Sequence, residues 1–175
     1  MLTLLIFRLV LLSSFIISAV ALGDWKSAGK YYPTVLFIMV VNLTASFLTY
    51  HHVLWNFNPD ALVKTHTVLE ILNSYIALPC TVFVFLSKLP SNKFYQYAFI
   101  GLWVSIFGTI EFIDKIIGGI TYQHSWSWQV SIMFNFAIFS ILRIHYSKPV
   151  WAWIITFIVG FIILIVFNFS SAEMK

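Results

Sequence analysis

Six stretches of about twenty mainly apolar residues follow one another along this chain, at 2–22, 32–55, 68–86, 94–117, 126–144 and 150–169. Each is long enough to cross a hydrocarbon layer about 30 Å thick as a helix. In lipid the backbone must satisfy its own hydrogen bonds, which leaves only helices and closed barrels. The stretches are about twice the length of a barrel strand and lack sustained period-two alternation, so helices are expected. Six such helices take roughly 120–130 residues, which leaves only short connections. The expected fold is all-α, a single polytopic transmembrane bundle over residues 1–175. Pro79 interrupts the third span and should kink it, because it removes an amide donor.

Composition closes the other classes. The chain is 61% hydrophobic and 9% charged, where globular domains average about 45–50% and about 25%. Ten basic and six acidic side chains cannot cover a soluble fold of this size. Disorder is excluded by the wealth of apolar residues. The net charge of +4 comes from basic residues scattered singly between apolar runs. That pattern sets topology rather than a nucleic-acid surface, so the expected partner is the lipid bilayer, with a membrane protein or a second copy as a further possibility. Six of the seven tryptophans (Trp25, Trp55, Trp126, Trp128, Trp151, Trp153) fall near span ends, where an amphipathic ring prefers the headgroup level. Trp103, mid-span, is expected inside the bundle.

Orientation follows from the loops. Lys26, Lys30, Lys88, Lys93, Arg143 and Lys148 mark connections one, three and five. Lys64 and Lys115 lie on the other side near Asp60 and Asp114, and the tail carries Lys175 beside Glu173. The positive-inside rule places connections one, three and five in the cytoplasm and both termini outside. One competing reading makes residues 1–22 a cleaved signal peptide ending near Ala19-Val20-Ala21, leaving five spans. Against it, Arg8 follows six mostly apolar residues instead of opening the chain.

The polar residues inside the spans carry the chemistry. His66, Glu70, Asn73 and Ala77 share a helical face, with Ser74 beside them. Asn42, Ser46 and Thr49 form a second stripe, and Tyr97, Gly101, Ser105, Gly108 and Glu111 or Phe112 a third, continued by Asp114 and Lys115. Asn135 is the main polar group of span five, and span six has only Thr156 and Gly160 to distinguish its faces, so it should face lipid most. An ionisable group in mid-span costs about 2.5–3.5 kcal/mol and usually turns inward to a partner or cavity. Glu70 and Glu111 are therefore expected to point inward, with Arg8 as counter-ion for one of them. The candidate ligand-binding or ion-pair set is Glu70, Glu111, Asn73, Arg8, Asn42, Asn135, His66 and Asp114.

Histidines gather at the same side, but His51-His52 lacks helical ligand spacing and no metal motif is present. No metal is expected, and the cofactor is left open. The single Cys80 excludes an intramolecular disulfide. No phosphate loop, nucleophile elbow, zinc-protease helix or dinucleotide fingerprint occurs, so an intramembrane enzyme ranks last. The leading expectation is a module that binds or passes a small solute or cation through an outward-facing polar pocket. The alternative is a non-transporting sensor, immunity or assembly subunit whose acids pair structurally.

Several motifs also occur in a recognisable order: Asp24-Trp25-Lys26, Lys30-Tyr31-Tyr32-Pro33-Thr34, Leu54-Trp55-x-Phe57-x-x-Asp60, Glu70 with Pro79-x-Thr81, Ile110-Glu111, and Leu142-Arg143-x-His145 with Pro149 and Ala152-Trp153. Over residues 24–160 the chain resembles a family of small multi-span membrane proteins of unassigned function from spore-forming Gram-positive bacteria. The resemblance implies a bacterial plasma membrane, five or six spans, and importance for Glu70, Glu111 and, at the cytoplasmic end, Arg143 and His145. It implies no substrate.

Overall fold

The computed structural model describes residues 1–169. Glu173 and Lys175, used above for orientation, lie outside the described residues. The chain is an all-α bundle. Helix α1 (Leu2–Leu22) leads through a short 3-10 turn (Trp25–Ser27) into α2 (Ala28–Leu48). The third span is composite: α3 (His66–Leu72), a π-helical turn (Asn73–Ala77) and α4 (Leu78–Ser87). Helices α5 (Lys93–Ile116), α6 (Trp128–Ser147) and α7 (Pro149–Val166) complete it. Five helical stretches, Leu2–Leu22, Trp25–Leu48, His66–Ser87, Trp128–Ser147 and Pro149–Val166, are long and apolar enough to cross a membrane. The remaining helix, α5, is the longest at 24 residues and carries Glu111, Asp114 and Lys115 in its last turns.

Local sequence explains the boundaries. Thr65 and Ser127 cap α3 and α6 through their side chains, accepting from the amides of Val68 and Val130. Asn92 accepts from Phe94 at the start of α5. Pro149 opens α7, where its missing amide costs nothing. The irregularity expected at Pro79 is taken up one turn earlier. Leu78 donates to the Asn73 carbonyl, five residues back, so an extra residue is accommodated just before the proline.

Two boundaries differ from the sequence expectation. The second span ends at Leu48, not at residue 55. The apolar residues beyond it build a cap instead, in which β1 (Trp55–Phe57) pairs antiparallel with β2 (Ile120–Tyr122), Asn56 facing Thr121. These strands have three residues each, too short to produce an alternation readable in sequence.

Helix α4 is the centre. Thr81 to Leu86 are all buried, and α4 packs against α1 and α2 and also touches α6. Phe85 and Phe139 meet at 5.3 Å, and Trp103 joins them with Phe99 and Phe107, as expected for a mid-span tryptophan. By contrast, α1 fully buries only Leu4 and Ala19, and α7 only Ala152. Their exposed apolar faces suit lipid.

Charge sorts between the two ends. At one end the Asp24 amide donates to Ser87, Tyr31 meets Tyr146, and Arg143 donates to Gln96 at 2.7 Å. This end carries the three basic connections. The other end carries Arg8, the strand pair, Asp60, Glu70, Glu111 and Asp114.

Candidate functional site

Glu70 sits on α3, one turn after His66, and its residue is 7% exposed. Its Oε2 accepts from the Ser46 hydroxyl at 2.8 Å and from the Asn42 amide at 3.4 Å, both on α2. Asn42 also donates to Ser74 at 2.7 Å, and Ser74 donates to the Glu70 carbonyl at 2.7 Å. His66 Nε2 lies 3.7 Å from Oε1. The Phe57 amide donates to His66 Nδ1 at 3.0 Å, so the neutral ring carries its proton on Nε2, facing the carboxyl group. The cap strand thus sets the tautomer of the histidine nearest Glu70.

The π-helical turn contributes to this arrangement. It begins at Asn73 and rotates the following helix, so Glu70, Ser74, Ala77 and Thr81 become the buried row. Asn73, expected on that face, is only half-buried. Asn135 is likewise half-buried on α6 and is not among the residues that line the cleft at Glu70. Of the third stripe, Tyr97, Gly101 and Ser105 point outward, and the buried row of α5 is instead Ile100, Val104, Gly108 and Asp114. Small residues marked a packing face only at Gly108, where a Cβ would collide with Ile132.

Beside Glu70 lies a cleft of about 1250 Å³ between α2, α6 and α7, roofed by the cap. Asn42, Ser46, His66 and Glu70 form one polar cluster in it, with Asn56 and several threonines elsewhere in the lining, and most other lining residues are apolar. Among the described residues Glu70 is the one acid in the lining, which contains no Lys or Arg. Helices α2 and α7 both pack against α6. They approach one another where Phe37 meets Trp153 edge-on at 4.8 Å, and near the cap Trp126 meets Phe167 at 5.0 Å.

Arg8 is not the counter-ion of either glutamate. It pairs with Asp60 at 2.8 Å and donates to the Gly119 carbonyl at 3.0 Å, tying α1 to both cap loops. Asp60 is 1% exposed, and its Oδ1 also accepts the Leu62 and Val63 amides at 2.7 Å each. Burial opposes ionisation of Asp60, but the Val63 and Leu62 amides and the Arg8 guanidinium outweigh it and hold its pKa below the usual carboxylate range. The sequence expectation failed because Asp60 stands 52 residues from Arg8 in a loop, where nothing in helical periodicity could pair them.

Glu111 accepts from the Tyr122 hydroxyl at 2.7 Å, and Lys115 lies over the Tyr122 ring at 5.1 Å. Burial, then the bond to Glu111, raises the Tyr122 phenol above its ordinary value. Asp114 is buried beneath Gly119, close enough to Arg8 and Glu111 to feel both charges. Its Oδ1 has no hydrogen-bond partner among the described residues. Glu111 and Asp114 therefore belong to the cap region rather than to the cleft.

At the opposite end, His145 Nδ1 shares a hydrogen bond of 2.9 Å with Thr34 and its ring stacks on Phe37 at 4.1 Å. This contact backs the closed end of the cleft. His52 stacks on His124 at 3.5 Å. Among the described residues no group of three or more His, Cys, Asp or Glu is placed to hold a metal ion. No protein-family model, curated protein or solved structure matches the chain.

Proposed function

We propose that this protein is a membrane module that binds, and in its cellular setting passes or presents, a small solute with a cationic or hydrogen-donating group, held at Glu70. One observation carries the reading. Among the described residues Glu70 is the single acid lining a large, mainly apolar cleft, and Ser46, Asn42 and His66 orient it. A carboxyl group that served only to join helices would be expected to meet a cation, and the Arg8 guanidinium is engaged by Asp60 instead. Intramembrane ionisable groups facing a cavity usually mark a solute pathway. The basic connections suit a cytoplasmic face, which supports a reading with Glu70 in the outer half of a bacterial plasma membrane and both termini outside.

A second reading, a non-transporting sensor, immunity or assembly subunit, draws on the cap. There Arg8 with Asp60 and Glu111 with Tyr122 form closed structural pairs. Native mass spectrometry from detergent separates the two. The proposed function predicts a small co-purifying molecule on the wild type that is lost from a folded Glu70→Gln protein. Retention of the same molecule by Glu70→Gln would overturn it, and a co-purifying protein subunit in its place would favour the second reading.

A further inference from the structure

The cleft is shaped for more than a small cation, and its apolar part asks for an occupant. Along α2 its lining runs from Phe37 to Leu48 and along α7 from Trp153 to Leu164. Eleven steps of helix rise span about 17 Å, roughly one leaflet of a 30 Å hydrocarbon core. The two closures, Phe37 with Trp153 and Trp126 with Phe167, lie toward opposite ends of α7, and between them α2 and α7 are bridged mainly through α6. That leaves a slot facing the lipid phase.

We infer that this slot admits a single-chain cationic amphiphile from the bilayer, its ammonium head at Glu70 and its alkyl chain between α2 and α7. The inference rests on the reading of Glu70 as a binding group and adds the class of ligand and its route. Charge complementarity selects the head: with one acid and no Lys or Arg among the described lining residues, an ammonium is matched and a phosphate or sulfate is not. The hydroxyl and amide of Ser46 and Asn42 hold Oε2, leaving Oε1, beside His66 Nε2, to take the ligand. The chain gains no hydrophobic driving force over lipid, so close packing in the slot and the charged head must supply selectivity. Gly160 lines the slot, and a Cβ there would meet nothing within 4 Å, so a larger side chain can narrow it without disturbing the bundle.

The test uses the full chain in phosphatidylcholine nanodiscs. The probe is a dodecylammonium carrying a diazirine at the chain end, run against the matched alcohol and sulfate. Photolabelling should map to α2 and α7 and exceed that of the alcohol about tenfold, as expected for one charge-assisted hydrogen bond. Glu70→Gln should erase the difference, and Gly160→Leu should cut labelling while leaving thermal stability unchanged. Excess ethylammonium should fail to compete. If ethylammonium competes as well as the unlabelled long-chain amine, the lateral slot is refuted while binding at Glu70 stands. Equal labelling by alcohol, sulfate and amine refutes the charged head. If the folded wild type is neither labelled in the cleft nor bound by ethylammonium, both the inference and the proposed function fall.

Discussion

Replacing Arg8 with Met tests what holds the cap to the bundle. The substitution keeps an apolar stem and removes a guanidinium that pairs with Asp60 at 2.8 Å and reaches the Gly119 carbonyl at 3.0 Å. Asp60 is 1% exposed, so the loss leaves a buried carboxylate without its cation. Such losses cost about 3–5 kcal/mol. The Leu62 and Val63 amides still donate to Asp60, which puts the expected loss at the lower end, about 3 kcal/mol. The Arg8→Met/Asp60→Asn double variant should recover part of this, with a coupling energy of about 1–3 kcal/mol. Reversible unfolding in mixed micelles measures each corner of the cycle. The pH dependence gives a second check. The folded Asp60 pKa lies below its unfolded value of about 3.9, so the stabilisation is full above that value and fades as pH falls through the lowered one. Arg8→Met should lessen this acid sensitivity. A cost under about 1 kcal/mol, or strictly additive single variants, would refute the pairing as a structural tie.

Two further effects follow from the cap. The Tyr122 phenol should resist ionisation beyond its ordinary value of about 10 in an absorbance titration. Glu111→Gln should bring it down toward that value, since the neutral amide removes the charge that disfavours a phenolate. Gly119→Ala should destabilise the protein by about 1–3 kcal/mol in thermal unfolding, because its Cβ would collide with Asp114 and Leu4.

What the sequence disclosed, and what it hid, divides along physical lines. Helix positions were legible because long apolar runs favour helices, which keep their backbone bonds local. The end of the second span was not, since Val53, Leu54 and Trp55 are as apolar as the helix before them yet serve the cap. Glu70 with Asn42, Ser46 and His66 was foreseeable from helical spacing on two neighbouring spans. Arg8 with Asp60 and Glu111 with Tyr122 were not, because each joins a helix to a residue of the cap, a loop in one case and the short strand β2 in the other, whose position depends on tertiary packing. The outward turn of Tyr97 and Ser105 carries a similar lesson. Ser105 satisfies its hydroxyl on the Gly101 carbonyl of its own helix, so it needs no neighbour and says nothing about which face is inside.

Glu70 is proposed to bind a ligand head group in the cleft. Isothermal titration of an alkylammonium into the nanodisc protein tests it most directly, with Glu70→Gln and Ser46→Ala beside the wild type. Saturable binding by the wild type, about tenfold or more weaker in Glu70→Gln and only modestly weaker in Ser46→Ala, is the predicted result. Equal affinity of the wild type and a folded Glu70→Gln protein would contradict it.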